Sequence, residues 1–217
     1  MPLQELQKSL GQNGWAIFDF PNKVRMREDI EVLAALLGRP IAGRGTEAIE
    51  ILQPTKKVAA HASSLSRQHG YGTFPLHCDT AHWLTPCHYI LLGCVEPGIF
   101  STPTLLLDFA EIELNRAEKA SLRVETFLIK NGRRSFYGTI RGDHLFLRFD
   151  PGCMTPVSKT GYAAMDLLSY KRNKKSVREV HWHPGRGLLI DNWRILHGRA
   201  AVATAGQGRV LLRTMIQ

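Results

Sequence analysis

The spacing of hydrophobic and polar positions changes along this chain at about residue 45. Before that point, residues 2–10 and 26–38 carry apolar side chains at helical intervals. A short apolar run between them, at 14–20, predicts a buried strand. The second helical segment ends on Gly38, a residue type that commonly terminates helices. A helix-strand-helix opening is therefore expected over about residues 1–45.

The rest of the chain is dominated by short segments with β character. They are rich in β-branched and aromatic residues, and turns of Gly, Pro, Asn and Asp separate them. Strands are expected at 47–54, 88–97, 103–109, 123–132, 135–143, 144–150, 178–183, 187–193 and 209–216. Two helices are expected among them, at 110–122 and 161–172. Residues 135–150 predict a hairpin with Gly142 and Asp143 at its tip.

This order of elements predicts a mainly β protein with helices packed on its outside. Two N-terminal helices ahead of many short strands are typical of a β-sandwich or a jelly-roll barrel. The 217 residues suffice for one well-packed domain and are few for two, and we find no internal repeat or linker. We therefore expect a single domain over residues 1–217, with the barrel core over about 46–217.

Composition and the N-terminal sequence bear on where in the cell the protein is expected. The chain is 44% hydrophobic and 22% charged, as in ordinary globular proteins. No apolar run is long enough to predict a membrane helix, and residues 1–15 lack the apolar core of a signal peptide. We expect a cytoplasmic protein. Its four cysteines form no C-x-x-C pair, so neither a zinc ribbon nor a thioredoxin-type site is supported.

The formal net charge of +9 lies in the second half of the chain and is densest at 171–186. Such a basic patch can bind nucleic acid or steer anionic ligands. Trp182 is the only Trp, Tyr or Phe within it, which leaves little surface for stacking with bases. A solvated face is the favoured interpretation, and we expect no nucleic-acid partner.

The first candidate for chemistry is a polar pair in the stretch FPLHCDTAHW, residues 74–83. His77 and Asp79 are two residues apart, so an extended strand would place both side chains on one face. Farther along, the apolar strand 187–193 ends in a polar turn that delivers His197. Two histidines and one carboxylate leave adjacent positions open on a metal ion and suit non-haem Fe(II).

The last predicted strand carries a second candidate. Arg209 and Arg213 are four residues apart and would share one face of that strand. Guanidinium groups on an otherwise apolar strand are costly to bury unless they meet anions. Because a guanidinium pairs with a carboxylate through two parallel hydrogen bonds, a carboxylate ligand is expected here.

Together these pieces resemble the taurine dioxygenase and clavaminate synthase-like group of Fe(II)/2-oxoglutarate-dependent oxygenases. The resemblance covers roughly residues 70–217. It is carried by HCD at 77–79, Thr104 in STPTLLLDF, DNWRILHGR at 191–199 and R-x-x-x-R at 209–213. It implies a double-stranded β-helix, which is the jelly-roll barrel of cupin-like proteins.

The resemblance also implies roles for individual residues. His77, Asp79 and His197 would bind Fe(II). Arg209, with help from Thr104, would hold the distal carboxylate of the co-substrate 2-oxoglutarate. Related halogenases replace the carboxylate ligand with a small residue, and Asp79 is present here. Hydroxylation by O2, with release of succinate and CO2, is therefore the expected reaction, and desaturation or ring formation are the alternatives that stay open.

Contacts with the substrate are expected from Arg213, Trp83, Arg199 and Arg148. Arg213 matches a position that in relatives often contacts substrate or a second carboxylate. A basic pocket favours a small anionic or zwitterionic molecule, such as an amino acid or another carboxylate. The polar stretch 62–72 is the expected lid, because its glycines would permit a hinge motion.

Two alternatives remain open from the sequence. One is a cupin-like barrel without catalytic activity that binds a ligand or nucleic acid through its basic half. The other is a zinc or manganese enzyme, such as an isomerase, built on the same barrel. The complete set of His, Asp, His and Arg argues against the first, and the second has no use for paired arginines on the last strand.

Overall fold

The computed structural model describes residues 3–43, 45–61, 64–132, 134–141, 146–173, 175, 177–202 and 208–217. Its α-helices are α1 (Leu3–Asn13), α2 (Met26–Leu37), α3 (Leu65–His69), α4 (Arg116–Val124) and α5 (Lys159–Asn173). Its strands are β1 (Trp15–Asp19), β2 (Pro40–Ile41), β3 (Ile49–Leu52), β4 (Phe74–His77), β5 (Tyr89–Glu96), β6 (Thr104–Asp108), β7 (Phe127–Asn131), β8 (Arg134–Gly138), β9 (Met154–Pro156), β10 (Arg178–Val180), β11 (Arg186–Asp191), β12 (Ile195–Arg199) and β13 (Val210–Ile216).

These strands form three antiparallel sheets. The largest has the order β1-β11-β5-β13-β2, and β3 also pairs with β13. The second has the order β10-β6-β12-β4, and the third has the order β8-β7-β9. The prediction of a mainly β protein with flanking helices is confirmed.

The alternation of side chains along the strands divides the core into layers. In β5, Leu91 packs with residues of α1 and α2 on the outer face of the large sheet. Its neighbours Ile90 and Leu92 point the other way and pack with Leu106 of β6 and Ile195 of β12. The two larger sheets therefore face one another.

The second sheet is covered on its far side as well. Leu107 of β6 and Leu196 of β12 pack there against Phe127 of the third sheet, Leu122 of α4 and Leu168 of α5. Both faces of β6 and β12 are thus buried, as expected for strands in the middle of a layered core.

One predicted strand, 144–150, is wrong. Within the described residues, 146–150 make single backbone hydrogen bonds and no ladder. Leu147 N donates to Trp193 O at 3.0 Å, and Arg148 N donates to Ile140 O at 2.8 Å. High β propensity alone does not make a strand where neighbouring segments offer no continuous partner.

The predicted hairpin tip, Gly142 and Asp143, lies outside the described residues. The hairpin of this region is formed earlier in the chain, by β7 and β8. Among the described helices and strands, β2, β4, β9, β12 and α3 were not in the set predicted from sequence. Among the described residues, none of the helices combines the length and the apolar character needed to cross a bilayer.

Candidate metal centre

Strands β4 and β12 bring the two distant histidines together. In their antiparallel register His77 lies opposite His197, and the centroids of the two imidazole rings are 4.7 Å apart. His197 therefore lies on a strand, and the sequence-based placement in a turn is wrong. Asp79 Oδ1 is 3.3 Å from His77 Nε2 and 3.7 Å from His197 Nε2. One donor atom from each residue lies within 4.8 Å of the others.

The electrostatics of the three groups are set by burial and by each other. Burial works against the charge of Asp79, but Arg213 and the two imidazoles overcome it and lower the pKa of the carboxyl well below its usual range. Burial lowers the pKa of His197, which favours the neutral imidazole that metals bind. Burial also opposes the charge of His77, whereas its hydrogen bond to Asp79 raises the pKa of that imidazole.

The donor set fits a first-row divalent metal. His77 Nδ1 lies 2.8 Å from Pro75 O, and because a carbonyl only accepts, Nδ1 carries a proton, so Nε2 is the nitrogen that would bind a metal ion in place of its own proton. The Nδ1 atom of His197 is buried and has no hydrogen-bond partner in the described part of the chain. Two imidazole nitrogens and one carboxylate oxygen therefore converge as a facial set of ligands.

The turn that carries Asp79 is fixed by Asn192, a residue that sequence reasoning missed. Asn192 Oδ1 accepts a hydrogen bond from Asp79 N at 2.8 Å, and its Nδ2 donates to Asp79 O at 3.0 Å and to Cys87 O at 2.8 Å. Thr80, the next residue after Asp79, has a φ of 53°, which is uncommon for a non-glycine residue. The hydrogen bonds between Asn192 and the backbone of Asp79 therefore fix where its carboxylate lies.

The three side chains line a cavity of ≈1140 Å³ whose walls come from both of the larger sheets. Residues of the large sheet include Ile90 and Met215, and β6 contributes Thr104. Of the residues predicted for co-substrate and substrate, the cavity wall includes Thr104, Arg209, Arg213, Trp83 and Arg199.

Of the buried arginines on this wall, Arg209 makes the fewest hydrogen bonds to the described residues. It is 9% exposed, its Nη1 donates to Thr102 O at 3.0 Å, and its buried Nε has no partner in the described part of the chain. Burial lowers the pKa of Arg209 to about 10. Nearby, Thr104 Oγ1 accepts a hydrogen bond from Trp182 Nε1 at 3.2 Å. A buried guanidinium gains stability when an anion pairs with it.

Arg199 connects residues 70–72 of the predicted lid to β12, the strand that carries His197. Its Nη2 donates to Gly70 O at 2.6 Å and to Gly72 O at 2.7 Å. Its guanidinium carbon lies 3.8 Å from the centroid of the Phe74 ring. Burial lowers the pKa of Arg199 to about 10, and Arg209 adds to that effect. The hydrogen bonds of this side chain therefore hold residues 70–72 against β12.

Arg213 differs from the expectation of a free substrate anchor. Its Nη1 donates to Asp79 Oδ2 at 2.8 Å, while its Nε and Nη2 donate to Glu50 Oε2 at 3.2 and 2.5 Å. Glu50 lies directly opposite Arg213 in the pairing of β3 with β13. Sequence reasoning missed Glu50 because one acidic residue in a short strand carries no signal of its partner.

Arg148 was expected to contact substrate, but its guanidinium is bound to backbone carbonyls instead of facing the cavity. The described residues that line the cavity do not include it. Its guanidinium donates to the backbone carbonyls of Ala81, Trp83 and Leu84. Arg148 therefore braces the segment after the metal-site turn, which carries Trp83 to the cavity wall.

Comparison with known proteins gives one family and several structures. The family model "Taurine catabolism dioxygenase TauD, TfdA family" matches residues 116–215. The non-heme iron oxygenase OrfP in complex with Fe and alpha-ketoglutaric acid is 19% identical, with a TM-score of 0.77 over 99% of this chain and 79% of that chain. An asparagine oxygenase in complex with Fe(II), 2S,3S-3-hydroxyasparagine and succinate is 15% identical, with a TM-score of 0.79 over 99% and 77%. No curated protein matches. The predicted resemblance to the taurine dioxygenase group is confirmed.

Proposed function

We propose that this protein is an Fe(II)/2-oxoglutarate-dependent oxygenase, similar to the TauD, TfdA family, that hydroxylates a small amino-acid-like molecule. One observation carries the proposal: His77, Asp79 and His197 converge in a cavity that also holds the incompletely satisfied guanidinium of Arg209. The proposal includes a double-stranded β-helix as the detailed fold, which is supported by two facing antiparallel sheets with the cavity between them.

His77, Asp79 and His197 would hold the iron, since their nitrogen and oxygen donors suit Fe(II) and leave further coordination positions open. Bound there, Fe(II) would supply the activation of O2 that is coupled to oxidative decarboxylation of 2-oxoglutarate and oxidation of the substrate. The chain itself would orient the reactants in the cavity and exclude bulk water from it.

Arg209 and Thr104 would bind the distal carboxylate of 2-oxoglutarate. The guanidinium is buried, its Nε–H has no partner among the residues that the structure describes, and the Thr104 hydroxyl accepts a hydrogen bond from Trp182. A carboxylate at this point would compensate the positive charge and satisfy the unpaired donor at once. The same carboxylate would gain two orienting contacts, one from the residue directly before β13 and one from β6 of the facing sheet.

A zwitterionic substrate is supported by the mixture of charges on the cavity wall. Lys130 and Asp150 line it in addition to the groups already described, so both signs are available to a ligand. Two of the similar structures are complexes with amino acids: OrfP with (3R,4R)-dihydroxy-L-Arg and the asparagine oxygenase with 3-hydroxyasparagine. We propose an amino acid or a derivative of one as the substrate class.

The proposal is tested by anaerobic addition of Fe(II) and 2-oxoglutarate, followed by a screen of amino acids for stimulated succinate formation. The wild-type protein should give a visible charge-transfer band, and His77→Ala, Asp79→Ala and His197→Ala should each abolish it. His181→Ala is the matched control, because that imidazole is 63% exposed and does not line the cavity.

A variant of the three that retains full 2-oxoglutarate decarboxylation would show that its residue is not a ligand. Stoichiometric zinc with turnover that needs no 2-oxoglutarate would favour the isomerase alternative. A wild-type protein that binds neither iron nor 2-oxoglutarate would favour the barrel without catalytic activity.

A further inference from the structure

The two oxygens of the Asp79 carboxylate face different groups. Oδ1 lies toward His77 Nε2 and His197 Nε2, at 3.3 and 3.7 Å, whereas Oδ2 accepts a hydrogen bond from Arg213 at 2.8 Å. Oδ1 is thus available to a metal ion, whereas Oδ2 is already bound by Arg213. A carboxylate held in this way can offer a metal a single oxygen in a fixed direction.

Arg213 is in turn held by a second carboxylate. Glu50 receives two hydrogen bonds from it across the β3–β13 pair, and the side chains of Arg213 and Glu50 are only 23% and 22% exposed. The order Glu50–Arg213–Asp79 therefore forms a chain of charge-assisted hydrogen bonds that ends on the proposed ligand set.

The charge of Glu50 matters for a divalent cation nearby. A guanidinium in direct contact with a ligand carboxylate repels the metal ion and withdraws electron density from the carboxylate. A negative charge on the far side of the guanidinium offsets that repulsion while keeping the donor in place. If Arg213 and Glu50 formed only an ion pair between neighbouring strands, Arg213 would not need to contact Asp79 as well.

We propose that Glu50 and Arg213 are a positioning pair for the metal ligand Asp79, in which Arg213 fixes the carboxylate and Glu50 balances the guanidinium charge. This inference rests on the proposed function for the identity of the metal site. It also reassigns Arg213: a substrate anion approaching this guanidinium would compete with two carboxylates that are already bound.

The test is the affinity of the metal-free protein for Co(II), measured by calorimetry and by the visible spectrum of the bound ion, without 2-oxoglutarate or substrate. Glu50→Gln keeps the shape and loses the charge, and we expect Co(II) binding about 10–100-fold weaker, the usual effect of removing an outer partner of a metal ligand. Glu50→Asp retains the charge and should lose less affinity than Glu50→Gln. Arg213→Lys should shift the Co(II) spectrum, because an ammonium cannot form the same two-sided contact.

The matched control is Asp108→Asn. Asp108 Oδ2 accepts two hydrogen bonds from Arg194, at 2.9 and 2.5 Å, in a comparable pair that does not line the cavity. This substitution should lower Tm and leave Co(II) affinity and spectrum unchanged.

Three outcomes decide between this inference and the proposed function. If the wild-type protein binds Co(II) and Glu50→Gln binds it equally well while only Tm falls, as in the control, Glu50 is a structural cross-strand partner and the positioning pair is refuted. If the wild-type protein binds no divalent metal at all, the proposed function fails together with the inference. If metal affinity falls as expected but no 2-oxoglutarate is consumed, the positioning pair stands and the oxygenase proposal does not.

Discussion

Replacement of Arg209 tests whether its guanidinium is the receptor for the distal carboxylate of 2-oxoglutarate. This side chain is 9% exposed, donates through Nη1 to Thr102 O, and has a buried Nε without a partner in the described part of the chain. Arg209→Ala removes this guanidinium and its positive charge from the cavity wall. The distal carboxylate of a bound 2-oxoglutarate would then be buried without a positively charged partner.

The expected magnitude follows from this burial. Truncating one member of a desolvated, hydrogen-bonded charge pair costs about 2–5 kcal/mol. At about 1.4 kcal/mol per tenfold change, the Kd for 2-oxoglutarate should rise by about 30-fold or more. Arg209→Lys should recover only part of this loss, because an ammonium cannot form two parallel hydrogen bonds with a carboxylate.

The assay is a titration of 2-oxoglutarate into the anaerobic Fe(II) protein, followed by the visible charge-transfer band. Arg194→Ala is the control, because Arg194 is paired with Asp108 and does not line the cavity. An Arg209→Ala protein that folds, binds iron and retains the wild-type Kd would refute the assignment. An equal loss in an Arg213→Ala protein that binds Co(II) as tightly as the wild type would mean that both arginines act on the co-substrate.

Two further predictions concern neighbours of this site. Thr104→Val removes one neutral hydrogen bond to the co-substrate, worth about 1 kcal/mol, and leaves Trp182 Nε1 without its acceptor, so the Kd for 2-oxoglutarate should rise about fivefold in the same titration. A Kd at the wild-type value would exclude the hydroxyl from the site. Arg199→Lys should loosen the segment held at Gly70 and Gly72, which limited proteolysis would detect as faster cleavage there, while Co(II) affinity stays unchanged. Unaltered cleavage would show that the segment is held by other contacts.

The site residues that could be predicted from the sequence are those that stand out by their spacing from each other or by their place in an apolar segment. His77 and Asp79 are two residues apart, so they stay close together even though β4 ends at His77 and Asp79 lies in the turn that follows, not on the extended strand that was assumed. Arg209 stands out because it is a charged group at the start of an apolar strand. His197 was found through the apolar strand before it, although ILHGR, with two apolar residues in five, was too polar to be recognised as β12.

The parts that sequence missed depend on the register between distant strands. Glu50 meets Arg213 only because β3 pairs with β13 in one alignment, and nothing near residue 50 indicates that pairing. Asn192 ties the Asp79 turn to the end of β11 in the same non-local way. The carbonyl contacts of Arg148 were not foreseen either, because an arginine bound by backbone carbonyls looks the same in sequence as one that binds an anion.

The pairing of β4 with β12 has a consequence for when the metal site comes into existence. His77 and His197 lie opposite each other although more than half of the chain separates them in sequence. Contacts between such distant segments require the closure of a long loop and are made slowly. A nascent chain that has not yet produced β12 would present only His77 and Asp79, and two ligands hold a divalent ion far less tightly than three. Metal loading would therefore follow synthesis, and a bound ion would add its binding free energy to the stability of the finished fold alone.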